Sequence, residues 1–405
     1  MVRGTDATRS LATAKRIARA LLSRLEASQN PHRAAELALL YAYLGDLSDL
    51  EDHKPVVVSL LHRAISLVAR APLPLHLQGV LGVAWVCSHL EGASAQTDSH
   101  AAIDDALLHE LRSNPARLER YELLNGLVGV GLYLLERLPD ARAAEILALL
   151  LDRLEDLSEV TTNGVRWFTP PALLSSNERR LSPYGHYALG MAHGVAGVVA
   201  FLARLSQTDV AVRRSTALLR AAAQDLARRA TSERTPMYPR WAGPGVQPDF
   251  FFGWCWGDLG IATALYAAAG ALRDSALRTT SLQVGLAAAR VRTVPLRDAS
   301  LCHGPAGHCH LFHRLYRATG LPPFRDAAIY WLSRALRWRR PGYPLAGYAR
   351  REIDSAGRVT WDPDPSFLLG AAGIALALAA AATDREPHWD RLLLVSNDVT
   401  LHALP

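Results

Sequence analysis

Six short glycine signatures constrain what this chain can fold into. Each is a Gly-x-x-Gly that opens an apolar run: Gly79 to Gly82, Gly126 to Gly129, Gly194 to Gly197, Gly257 to Gly260, Gly304 to Gly307 and Gly370 to Gly373. From second glycine to second glycine the intervals are 47, 68, 63, 47 and 66 residues. These exceed the usual solenoid periods and vary too much for a regular stack. Ala and Leu dominate the composition, and apolar residues recur at helical spacing over 11–25, 34–44, 55–68, 141–154, 211–230, 275–291 and 323–337. The pattern predicts an all-α chain, an (α/α)6 toroid or barrel of six helix pairs. Inner helices start at the glycines and outer helices follow them. A glycine at a helix start permits unusual backbone angles, and a second one a turn later lets inner helices approach closely. In the first, second and sixth signatures, which carry no metal-ligand side chain, the glycines read as packing devices.

No low-complexity linker divides the 405 residues, so residues 1–405 read as one domain. Loops rich in Pro, Gly and aromatic residues fall at 159–185, 232–253, 294–301 and 341–365. The net charge is +6 and nearly all of the cations are Arg, spread in short groups of which Arg337, Arg339 and Arg340 are the densest. These read as solvated helix faces, with a mild preference for an acidic peptide partner and no nucleic-acid stripe. Four cysteines are too few for a disulfide framework. The N-terminus has no signal-peptide core. The longest apolar run, 367–382, is shorter than the ~20 residues of a membrane helix. The reading is a soluble, cytoplasmic protein with no membrane span.

Two signatures carry sulfur or imidazole just before the glycines, in Gly253-Trp254-Cys255-Trp256-Gly257 and Leu301-Cys302-His303-Gly304. Cys255, Cys302 and His303 make a three-ligand set for Zn²⁺ that leaves a fourth position open, as in catalytic zinc sites. Neighbours do not share a helix face, so Cys302 and His303 reach one ion only from a loop or a helix start. Two thiolates and a neutral imidazole leave the zinc centre uncharged, and a substrate thiol there is lowered in pKa. The competing reading is buried structural cysteine. Cys309 with His308 or His310 is a rival ligand set, and Cys87 reads as core. His193, just before the third signature, is a candidate for proton transfer. Glu122, four residues before Gly126, reaches the same rim if the repeats superpose; its plain reading is a surface carboxylate.

The motifs Gly-Trp-Cys-Trp-Gly, Leu-Cys-His-Gly-x-Ala-Gly, Ala-His-Gly-x-x-Gly and Leu-Leu-Gly-x-x-Gly-Ile-Ala-Leu resemble the lanthionine synthetase C family, in order and across all six signatures. The resemblance implies an (α/α)6 barrel with one zinc on Cys255, Cys302 and His303, and an active-site histidine at His193. It implies cyclisation of a dehydrated precursor peptide: a peptide Cys thiol adds across dehydroalanine or dehydrobutyrine to give a thioether ring. No dehydratase-sized region precedes the barrel, so the implied partners are a separate dehydratase and, in a complex that can bring the protein to the membrane, an exporter. Three positions depart from the family pattern. Glu122 stands where Asp is frequent, Trp256 where Tyr is common, and Phe251 where some members have Arg. A cation for the enolate would then come from elsewhere, with Arg240 the candidate. These departures keep open a non-catalytic, zinc-containing peptide-binding or scaffolding relative. A prenyltransferase-like site lacks its Asp, and a toroidal glycosidase would have to pair Glu122 with Asp258.

Overall fold

A computed structural model describes residues 4–25, 28–45, 53–70, 73–91, 100–231, 236–353 and 357–396. The first residues of the loop expected from Ser232 lie outside these. The chain divides into two compact units, Met1–Pro72 with Ala289–Asp390, and Leu73–Ala288 with Arg391–Pro405.

The second unit begins at the first signature. Its helices are α4 (Val80–Glu91), α5 (Ala101–Ser113), α6 (Leu127–Arg137), α7 (Ala141–Asp156), α8 (Ser176–Leu181), α9 (Val195–Leu205), α10 (Val212–Ala227), α11 (Asp258–Leu272) and α12 (Ser275–Ala288). Four of them, α4, α6, α9 and α11, open at signatures and pack side by side in that order. They are apolar nearly all round, and every residue of α9 except Arg204 is buried. Helices that are apolar all round belong in a core. Helices α7, α10 and α12 each pack on the signature helix before them, and α5 packs on α7. These are amphipathic: α7 buries Ile146, Leu147, Leu150, Leu151 and Leu154. Asp140 caps α7 by accepting the Ala143 N–H at 2.9 Å.

The first unit holds α1 (Thr5–Leu25), α2 (Pro31–Gly45), α3 (His53–Arg70), α13 (Pro305–Thr319), α14 (Pro322–Arg337) and α15 (Ala371–Ala382). Helices α13 and α15 open at the last two signatures, and α14 packs on α13 as expected. The sixth pair breaks the expected order. The partner lying along α15 is α1, from the far end of the sequence, and not a helix that follows it. Helical spacing marks α1 as amphipathic, but nothing local says which helix its buried Ala14, Ile17, Ala18 and Leu21 will meet.

Three antiparallel strand pairs lie outside the all-α expectation: β1 (Ser158–Thr161) with β2 (Gly164–Trp167), β3 (Tyr187–Ala188) with the distant β4 (Trp241–Ala242), and β5 (Arg350–Ile353) with β6 (Val359–Asp362). The first turns at Thr162-Asn163, and Gly164, at a φ of +138°, opens the second strand.

The glycines have a more specific task than helix approach. A Cβ on Gly129, Gly197, Gly260, Gly307 or Gly373 would stand 2.1, 2.3, 2.3, 1.9 or 1.9 Å from the carbonyl oxygen six residues earlier. In each of these five signatures the turn before the helix folds back over the helix's own first turn, and the second glycine makes room for its carbonyl. Gly257 alone among the N-caps of the signature helices α6, α9, α11, α13 and α15 also needs left-handed backbone, with φ of +95°.

Candidate active site

The folded-back turns carry the candidate residues, and backbone hydrogen bonds link one turn to the next. Within the second unit, Gln78 N–H donates to Leu124 O (3.2 Å), Leu123 N–H to Ala192 O (3.3 Å), and Ala192 N–H to Cys255 O (3.3 Å). Beside the β3–β4 pair, Leu189 N–H donates to Arg240 O at 3.0 Å. This lacing brings the turns of Glu122, His193, Arg240 and Cys255 together although they are far apart in sequence. Gly190 permits the closest of these approaches, since a Cβ there would lie 2.1 Å from Cys255 O and 2.6 Å from the Trp256 ring.

Glu122 is 7% exposed and is not the surface carboxylate of the plain reading. Its oxygens accept the backbone N–H groups of Leu124 (2.9 Å) and Asn125 (2.8 Å), which locks the side chain. The same carboxylate lies 3.1 Å from His193 Nδ1. Burial works against the imidazolium of His193. The Glu122 hydrogen bond and charge, with help from Cys255 and Glu178, outweigh it and raise the His193 pKa. With Nδ1–H directed at Glu122, Nε2 is the nitrogen left for proton transfer.

Trp256, at the Tyr position of the resembled family, forms one face of the histidine's setting. Its ring stacks on His193 at 5.4 Å between centroids and meets Trp241 edge-on at 6.0 Å. Trp241 in turn stacks on His186 at 4.7 Å. Burial holds the His186 imidazole down to about 4, so it stays neutral. Arg240 lies 4.9 Å over Trp241 and 5.6 Å over Phe251, and it pairs with Asp249. Its cation therefore stands against the ring at position 251, with Cys255 in electrostatic range. Asp258 has another use. It accepts the Met237 and Tyr238 N–H groups at 3.0 Å and pins the loop ahead of α11.

In the first unit, Cys302 and His303 sit in the turn before α13, not on the helix. Cys302 N–H donates to Leu368 O (3.0 Å), lacing the fifth turn to the sixth. His303 Nε2 lies 3.1 Å from Asp298 Oδ2, and Asp298 Oδ1 accepts the Ser300 N–H at 2.9 Å. Burial would raise the Asp298 pKa, but the bonds from His303 and Ser300 outweigh it and hold the carboxyl below its ordinary value. Asp298 was not singled out from sequence; its position five residues before His303 gave no motif.

Cys302 and His303 in the first unit and Cys255 in the second each stand in a turn ahead of a signature helix, and together they offer a Cys-Cys-His donor set. The chemistry of this donor set fits zinc, which favours thiolate and imidazole. The Asp298 bond fits as well, because a metal-binding histidine commonly donates its other ring N–H to a carboxylate. None of the four cysteines is in a disulfide. Of the rival set, Cys309 is buried, and burial raises its thiol to about 12, as it does that of the core residue Cys87. His308 packs edge-on against Trp331, and His310 lies 2.9 Å from Asp390.

Glycine-opened helices, laced turns and a Cys-Cys-His donor set define a recognisable class. The chain belongs to the lanthionine synthetase C-like family, whose model matches residues 34–394. Among solved structures it is similar to nisin cyclase, with a TM-score of 0.71 at 18% identity over 90% of this chain and 91% of that one. The likeness gives the fold class, the all-α (α/α)6 class expected from the glycine signatures. No curated protein matches the sequence. Among the described residues, no helix is long and apolar enough to cross a membrane.

Proposed function

We propose that this chain is a zinc-dependent lanthionine cyclase acting on a dehydrated precursor peptide. Cys255, Cys302 and His303 would hold the zinc, and Asp298 would fix the His303 ring from behind. When bound, zinc supplies the Lewis acidity that lets a peptide cysteine react as thiolate at neutral pH. The observation that carries the reading is a Cys-Cys-His donor set carried in the same family of turns as a histidine locked to a buried carboxylate.

In the proposed reaction the cysteine S–H bond breaks and sulfur bonds to the β-carbon of dehydroalanine or dehydrobutyrine. The alkene pair moves toward the α-carbon and its carbonyl, and a proton added at the α-carbon completes the thioether. No atoms are gained or lost. His193 Nε2 takes the thiol proton and returns one to the α-carbon. Glu122 is a positioning residue, since it holds Nδ1–H and favours the protonated ring midway through the cycle. Trp256 supports the ring by stacking and is no proton donor. Arg240 places positive charge beside Phe251, where the developing enolate would be stabilised.

The test is ring formation in a peptide bearing one dehydroalanine and one cysteine. The readout is loss of free thiol at unchanged mass. The zinc-loaded protein is expected to speed this reaction, and His193→Ala to slow it by ~10²–10⁴-fold. Peptide binding with no acceleration by the parent protein would sink the cyclase reading in favour of a scaffolding subunit.

A further inference from the structure

The charge of this protein is concentrated in one place. Residues 289–353 contain twelve arginines, no lysine and three acidic residues, an excess of nine that is larger than the +6 of the entire chain. Two of the three acids are engaged next to their own neighbours, Asp326 with Arg325 at 3.1 Å and Glu352 with Arg350 at 2.6 Å. The third, Asp298, holds His303.

Six of these arginines, Arg292, Arg297, Arg334, Arg337, Arg340 and Arg351, gather on one face of the first unit. Positions 330, 334 and 337 lie along one stripe of α14. Arg292 lies 4.9 Å over the Tyr330 ring, and the Tyr330 hydroxyl donates to Arg292 O at 2.7 Å. At the end of α14, Trp338 meets Trp361 edge-on at 6.4 Å, and Arg340 covers the Trp361 ring at 3.4 Å. Arg351 is the cross-strand partner of Trp361, and its N–H donates to Arg297 O at 2.7 Å. Five of the six are exposed and Arg351 is half-buried. Among the described residues none of the six makes an ion pair. Elsewhere on the surface some arginines are matched: Arg112 pairs with Glu145, Arg142 with Asp105, and Arg214 with both Asp152 and Glu155. Six like charges gathered with no acidic partner among them carry a cost in self-repulsion, which an external anion relieves.

We propose that this face binds an acidic peptide segment, and, resting on the cyclase reading, that the segment belongs to the peptide substrate. Guanidinium forks suit carboxylates, which they can engage through two parallel bonds. A single-stranded nucleic acid fits less well, because it needs open aromatic rings for its bases. Here Arg292 and Arg340 already cover Tyr330 and Trp361. The face also adjoins the candidate centre in sequence. Arg297 is next to Asp298, which fixes His303. A segment held here would tether the rest of its chain near that turn and raise its local concentration.

The experiment is fluorescence anisotropy on the full chain with a labelled Glu-rich peptide and a Lys-rich peptide of equal length. The Glu-rich peptide is expected to bind, to weaken about tenfold between low and ~0.3 M salt, and to lose about tenfold with R334E/R337E. The control R117E/R213E makes the same charge change at two exposed arginines of the other unit, and it is expected to stay within about twofold. Circular dichroism confirms that each variant is folded. Equal weakening by both double variants would overturn the assignment. So would preference for single-stranded RNA or phosphatidylglycerol vesicles over the Glu-rich peptide. The readout needs neither zinc nor turnover. Binding without cyclisation would therefore leave this face standing and sink the cyclase reading, and cyclisation without acidic-peptide binding would do the reverse.

Discussion

Glu122 satisfies two backbone N–H groups and one imidazole with a single carboxylate, so its position is set before any substrate arrives. Replacing it by Gln keeps an acceptor for the backbone but removes the charge that offsets the burial of His193. The His193 pKa, raised in the parent, is expected to fall below the ordinary imidazole value in Glu122→Gln, because burial is then largely unopposed. Titration of the His193 ring by NMR checks this, and an unchanged midpoint would show that Glu122 does not set it. The linkage has a definite sign. The raised pKa stabilises the fold most at pH below the unfolded value near 6.5 and ceases to as pH rises through the folded value. Cys255, Cys302, His303 and His193 stood out in the sequence because sulfur or imidazole abutted a helix-opening glycine. Asp298 and Gly190 did not. One acts through a hydrogen bond to a ligand ring, the other through the absence of a side chain against a distant carbonyl, and neither leaves a spacing to read.

At the scale of elements, the signatures act as compact folded-back turns, and the cost of filling them separates one glycine from another. Gly307→Ala would place a Cβ 1.9 Å from Leu301 O, against backbone that cannot swing aside. A loss of ~1–3 kcal/mol or more follows from overpacking. Gly270, late in α11, has nothing within 4 Å of its added Cβ. Gly270→Ala is therefore expected to gain ~0.5–1 kcal/mol from helix propensity. Urea midpoints of the two variants should move in opposite directions; equal losses would contradict the folded-back turn. The six signature helices were legible from the glycines and the apolar runs they open, and α7, α10, α12 and α14 from helical spacing, whereas α5 (Ala101–Ser113) was not marked. The pairing of α1 with α15 was not, because it joins the two ends of the sequence and depends on which buried faces remain when the nearer pairs have formed. The β1–β2 hairpin could have been read from Thr162-Asn163-Gly164 between short alternating runs.

The whole molecule carries buried histidines that must stay neutral. Burial holds His186 at about 4 and, with nearby cationic groups, His313 at about 2. Both are protonated near pH 6.5 in the unfolded chain. Their contribution is intact above that value and is lost as pH falls toward the folded values. Each should cost about 1.4 kcal/mol per pH unit within its window. The melting temperature is thus expected to drop from pH 7 to pH 5, and to drop less in His186→Gln. A flat profile in the parent would contradict the neutral assignment. Family membership and fold class follow from the match over residues 34–394 and the likeness to nisin cyclase. The metal chemistry rests on three donor side chains. Zinc per chain, by elemental analysis of the parent and of Cys302→Ala purified without added metal, tests it most directly. The account predicts about one zinc in the parent and most of it lost in the variant. A folded parent that stays free of zinc even when zinc is supplied would contradict it.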